Sequence, residues 1–267
     1  MTPTPADGSA RGRAYAALAL GVSIVSFASI LIRYAQAEGV PSIVIAMWRL
    51  AIAAFVLLPM VTVGARRTLA TIDVSDRRWA VLAGLFLAIH FAAWIVSLEF
   101  TSVASSTVLV TTNPIWIALA SLWFFGERMA PRLVLAVALA LAGSTIIFLA
   151  DHESTTVSAR QPALGNTLAL VGSVAMCGYL LIGRGVRSRV ALVPYLGVVY
   201  TVAAVLLAAA AISSGAAIVG FSGTAFVWLV ALALGPQLLG HGALNYALAH
   251  LSPAVIAIGI LGEPIGS

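Results

Sequence analysis

Apolar runs of about 17 to 25 residues recur along this chain, and a helix of that length matches the hydrocarbon thickness of a bilayer. Eight are complete: Ala14–Ile32, Ser42–Val63, Trp79–Ser97, Ser102–Phe125, Arg132–Ala150, Leu164–Gly183, Ala191–Ile212 and Thr224–Leu248. A ninth begins near Ser252 and is still running at Ser267. Each run is apolar on all sides, whereas a barrel strand alternates over about ten residues. The expected fold class is therefore an all-α polytopic membrane protein. Only 9% of the residues are charged, against about 25% in soluble domains. So few charges cannot cover a water-facing surface, and no soluble domain is expected.

All the basic residues are arginine, and they are scattered through short loops rather than gathered in one patch. That distribution reads as membrane orientation and argues against nucleic acid as a partner. With the N-terminus in the cytoplasm, eleven arginines fall inside, Arg33 and Arg160 fall outside, and Arg49 lies within a run. The positive-inside rule then places the N-terminus in the cytoplasm. Cys177 is a lone cysteine in an apolar run, without the partners of a disulfide or a zinc site. It reads as a small buried residue.

The runs repeat. His90 and Trp94 sit late in the third run, as His241 and Asn245 sit late in the eighth. A short loop and a new run follow, starting at Ser102 in one copy and Ser252 in the other. Further along come Asn113-Pro114 and Glu263-Pro264. The unit is five runs, an odd number, so two tandem copies face opposite ways across the membrane. The expected plan is ten helices in two inverted five-helix repeats. Its parts are a cytoplasmic tail at 1–13, a first repeat at 14–150, an external linker at 151–163 and an incomplete second repeat at 164–267. The first repeat closes its fourth run with Gly126-Glu127, a helix-end motif. The same register places a second Gly-Glu near about 276 and 277, so the expectation is that about 30 further residues complete the second repeat.

These features resemble the EamA-type permeases of the drug/metabolite transporter superfamily. The resemblance covers the whole chain. It rests on Trp48-Arg49, on Asn113-Pro114-Ile-Trp with Phe125-Gly126-Glu127, and on Gly262-Glu263-Pro264 as the start of a second copy. It implies a bacterial inner-membrane permease that exports or takes up amino acids, other metabolites or drugs.

Ionisable groups deep in lipid are costly and mark candidate sites. His90 lies about eleven residues into the third run, near the midplane, with Trp94 one turn on along the same face. Histidine titrates near physiological pH and can serve as a hydrogen-bond donor or a proton carrier. Glu263 sits at a similar depth in the ninth run, where it can meet a substrate amine or a proton. Arg49, about seven residues in from the outer side, can pair with a substrate carboxylate or snorkel to the interface. Asn113 mirrors Glu263, and His241 and Asn245 lie one turn apart. The substrate-binding candidates are therefore Arg49, His90, Trp94, Asn113, His241, Asn245 and Glu263. Pro114 and Pro264 are expected to kink their helices.

No Walker-type loop, His-Glu-x-x-His or Gly-x-Ser-x-Gly is present. The reading is a secondary transporter of small metabolites, not an enzyme, with no cofactor and no metal. Its partners are a small-molecule substrate and the lipid bilayer, and coupling to protons through His90 or Glu263 and simple facilitated movement are both open. A receptor or assembly subunit without a transport cycle, and an intramembrane enzyme, are the alternatives.

Overall fold

The computed structural model describes residues 8–64, 72–125 and 161–266, with single positions between 131 and 146. Among these residues the chain is helical throughout, and seven segments are long and apolar enough to cross a membrane. They are Ser9–Ala37, Ser42–Thr62, Val74–Ser97, Val103–Trp123, Pro162–Arg187, Leu192–Ser213 and Gly223–Leu248. The run Arg132–Ala150 lies mostly outside the described residues, as do Gly126 and Glu127.

Most segments are not single uniform helices. The first is α1 (Gly8–Val25) and α2 (Ala28–Ala37), and α1 begins ahead of the apolar run at Ala14. Its first turns are rich in alanine and arginine, both good helix formers, and carry the helix past the apolar boundary. The break comes at Ser26, whose Oγ donates back to Val22 O at 2.9 Å, a bond that bends helices. The second segment is α3 (Ser42–Pro59), continued as a π-helical turn at Met60–Gly64. The third is α4 (Val74–Ser97).

The fourth segment is split into α5 (Val103–Val110) and α6 (Asn113–Phe125). Pro114 has no N–H to give the carbonyl four residues back, and that residue is Val110, where α5 ends. The chain then runs through α7 (Pro162–Arg187), α8 (Leu192–Ser213) and α9 (Gly223–Leu232). A π-helical stretch at Ala233–His241, with Pro236 inside it, leads into α10 (Gly242–Leu248). Last come α11 (Pro253–Ile260) and α12 (Glu263–Gly266). Here Pro264 is again four residues past the end of the preceding helix, at Ile260. Both split segments open on a serine cap: Ser102 Oγ accepts from Ser105 N at 3.0 Å, and Ser252 Oγ from Val255 N at 3.4 Å.

Packing in lipid relies on close backbone approach, because apolar side chains gain little by leaving lipid for each other. The α4–α7 contact shows this. A Cβ on Gly178 would stand 2.7 Å from the Phe86 ring, and one on Gly172 would stand 3.4 Å from His90 O and Trp94 N. On the other side of α4, a Cβ on Gly84 would meet Val202 of α8 at 2.8 Å.

The polar contacts sort into two ends. One end carries Arg33 Nη2 to Thr101 O (3.1 Å), Thr101 Oγ1 to Asn166 Oδ1 (2.9 Å), Trp48 Nε1 to Ile218 O (2.9 Å) and Ser222 Oγ to Glu38 Oε2 (2.6 Å). The opposite end carries the Arg189–Asp76 ion pair at 2.5 Å and the bonds from Arg184 Nη1 to Leu248 O and Ala249 O. Among the described residues, the connections therefore fall at alternating ends, as a chain crossing a membrane requires.

Candidate functional site

Six residues singled out in the sequence meet on one cavity between the two ends: Arg49 from α3, His90 and Trp94 from α4, Asn113 opening α6, His241 closing the π-helical stretch and Glu263 opening α12. Val25, Ala28, Met176, Leu244 and Ile260 supply apolar wall. The cavity is small. The centre of a water molecule has about 20 Å³ to move in, which is room for about one or two waters.

Arg49 is 0% exposed. Its Nε donates to Gln237 Oε1 at 2.6 Å. The guanidinium carbon stands 4.0 Å from the Phe91 ring centre and 5.9 Å from the Trp94 ring centre. Stacking on an aromatic face suits the flat, weakly hydrated guanidinium. Nη1 and Nη2 have no hydrogen-bond partner among the described residues. Glu263 is buried on the same cavity, but it forms no ion pair with Arg49 within 4.0 Å among the described residues. The terminal donors of the guanidinium stay unfilled.

His90 is fixed by one bond. Its Nδ1 lies 2.9 Å from Gly172 O. A carbonyl only accepts, so Nδ1 carries a proton and Nε2 is the nitrogen left for the cavity. The ring stacks on Trp94, with centroids 6.0 Å apart. His241 meets the edge of Phe91 at 5.3 Å, and its Nδ1 has no partner. Trp94 Nε1 has none either.

Asn113 does a structural job. With its amide nitrogen toward α7, it donates to Ser173 Oγ at 3.0 Å, to Ser173 O at 3.1 Å and to Val110 O at 3.1 Å. It thereby supplies the donor that Pro114 denies to Val110. Ser173 Oγ also meets Thr112 Oγ1 at 3.0 Å. Asn245 stands behind the cavity wall. Its Oδ1 accepts from Tyr179 OH at 2.9 Å, its Nδ2 donates to His241 O at 2.7 Å, and its own carbonyl accepts from Arg187 Nε at 3.3 Å.

Gln237 and Phe91 were not picked out in the sequence. Gln237 had a signal: it is a fully buried polar residue in an otherwise apolar segment, beside Pro236 and one turn before His241. Phe91 had none, because one aromatic residue in an apolar run looks like its neighbours. Among the described residues, no group of three or more His, Cys, Asp or Glu is placed to hold a metal.

A bundle of lipid-length helices around a buried, charged centre defines a multi-pass membrane protein with a polar core. The EamA-like transporter family model matches residues 12–149, more than half of the chain, and the chain belongs to that family, within the drug/metabolite transporter superfamily. A riboflavin transporter of Brucella anthropi is 28% identical over 142 residues, which is 53% of this chain and 49% of that protein. The match thus spans about half the length of that curated relative. A solved crystal structure resembles the fold with a TM-score of 0.72 at 20% identity, over 98% of this chain and 86% of the other.

Proposed function

We propose that this protein is a secondary transporter that carries a small metabolite, such as an amino acid or a related compound, across a bacterial inner membrane. Two inverted five-helix halves, 14–150 and 164–267 with a linker at 151–163, alternate access to the central cavity, and the N-terminus is cytoplasmic. The observation that carries the reading is the make-up of the cavity. Arg49, His90, Trp94 and Asn113 come from the first half, and His241 and Glu263 from the second. A site built from both halves changes its access when the halves rock.

One further observation supports the inverted plan. Ser102 and Ser252 cap matching helices, and those helices break four residues before Pro114 and Pro264. A cavity with room for about one or two waters must open before a metabolite enters it, as a mobile pair of halves allows. The family match and the riboflavin transporter relative favour a transported solute over a retained ligand. Protons are the proposed coupling ion, through Glu263 or His90.

The test is flux. The protein is reconstituted in liposomes and offered labelled riboflavin and a panel of labelled amino acids, with and without a pH gradient. Saturable, protein-dependent accumulation of any of them supports the proposal. Movement no faster than protein-free liposomes for every compound ends it.

A further inference from the structure

Several hydrogen-bond donors at and beside the cavity are left without acceptors, and this points to the chemistry of its ligand. Arg49 Nη1 and Nη2, Trp94 Nε1 and Gln237 Nε2 are buried without partners among the described residues. All are donors and cannot accept. The acceptors nearby are His90 Nε2, one ring nitrogen of His241 and the Glu263 carboxyl group, which forms no ion pair with Arg49 within 4.0 Å among the described residues. Gln237 is 0% exposed and grips Arg49 through Nε alone, at 2.6 Å. The Phe91 ring covers one face of the guanidinium at 4.0 Å. The remaining edge, with both terminal nitrogens, is therefore held in a fixed orientation and left without an acceptor.

A buried guanidinium edge in that condition matches a planar, two-oxygen anion, which takes two parallel N–H bonds at once. We infer that the cavity binds a carboxylate on the Nη1–Nη2 edge of Arg49, with Gln237 as the positioning residue that turns that edge to the ligand. The inference rests on reading this cavity as the substrate site and narrows the substrate to carboxylate-bearing metabolites. A side-chain amide in place of a carboxylate at 237 is part of the logic. It holds Arg49 without cancelling its charge, so the charge remains for the ligand.

The test uses the purified chain in lipid nanodiscs and follows its melting temperature. Formate, acetate and benzoate, as sodium salts, are each compared with formamide, acetamide and benzamide at matched sodium chloride. The acids should stabilise the protein and the amides should not. Apparent affinity for the best acid should fall at least about tenfold in Arg49→Gln, which is about 1.4 kcal/mol. Gln237→Glu places a competing carboxylate on Arg49 and should abolish the response to acids even if Arg49→Gln fails to fold. Arg49→Lys keeps the charge without the fork and should lose the preference for carboxylate over chloride. Equal stabilisation by acid and amide, no response to any acid, or an intact response in Gln237→Glu each overturns the inference. Liposome flux separates this outcome from the wider reading. Transport of a labelled compound that is indifferent to its carboxylate sinks the carboxylate site and leaves the transporter. Acid binding without flux of any compound does the reverse.

Discussion

The two broken segments, α5–α6 and α11–α12, share a backbone plan and differ in the residue at the break. Each opens on a serine cap, runs for eight residues and stops four residues before a proline. In the first, Asn113 fills the gap the proline leaves, since its amide reaches Val110 O at 3.1 Å and Ser173 at 3.0 Å. In the second, the residue is Glu263, whose side chain makes no hydrogen bond to Ile260 among the described residues. One half spends its polar residue on mending the helix. The other puts a carboxyl group into the cavity that Arg49 also lines. Backbone symmetry therefore does not carry over to the chemistry: the scaffold is duplicated and the charged centre is not.

Arg49 is the place to break that asymmetry most severely. Arg49→Leu removes the positive charge and, at a pH where Glu263 is ionised, leaves its carboxylate uncompensated in a buried site, at a cost of about 3–5 kcal/mol. The Asn113 break is untouched. Reconstituted flux should fall by more than about a hundredfold, which corresponds to about 2.7 kcal/mol. The double variant Arg49→Leu with Glu263→Gln should recover much of the lost melting temperature and none of the flux. Additive losses in the double variant would mean that the two residues do not act on each other.

A milder change exchanges the roles at the breaks. Asn113→Asp takes away the donor to Val110 and should destabilise by about 1–3 kcal/mol, the cost of a buried polar group left without its partner. Glu263→Gln adds an amide of the kind Asn113 uses, so the fold should hold, and the anion response should change instead. In the native protein, raising the pH ionises Glu263, and the new negative charge opposes an anionic ligand. Arg49, His90 and His241 are the charged or titratable groups facing it across the cavity, and α1 and α5, which pack against α12, line it there with Val25, Val110 and Thr111. His90 is neutral, with Nε2 free as an acceptor, so Glu263 sets the sign and acid binding should weaken as pH rises. Glu263→Gln should bind acids about tenfold more tightly at high pH and respond less steeply to pH. An unchanged slope in the melting-temperature titration would assign the pH response to the histidines alone.

How much of this could be read in the chain follows from where each contact lies in it. The spans were legible because run length is a local property. The breaks at Pro114 and Pro264 were legible because a missing N–H acts only four residues away. Six of the cavity residues could be nominated because polar groups in lipid are conspicuous. Gln237 was not nominated, since its partner Arg49 is 188 positions away in the chain and a glutamine draws less notice than a charge. Helical spacing from His241 puts Asn245 on the cavity side, yet its side chain turns to Tyr179. A one-turn spacing gives a helix face but not what stands opposite. The π-helical stretch around Pro236 widens that turn, and a reading at 3.6 residues per turn has no means of seeing it.

The smallest expected effect concerns the caps, where the two segments are most alike. Ser102 is half-buried and bonds Ser105 N at 3.0 Å, while Ser252 is exposed and bonds Val255 N at 3.4 Å. Water can replace a lost cap at the exposed position more readily than at the shielded one. Ser102→Ala should therefore cost about 1 kcal/mol and Ser252→Ala about half of that, both within the usual range for such caps. Melting temperatures of the two variants in the same nanodiscs decide the point. Equal losses would mean that backbone capping is matched in energy as well as in position. The duplication would then extend to local stability, and the difference between the halves would be confined to the residues at the breaks.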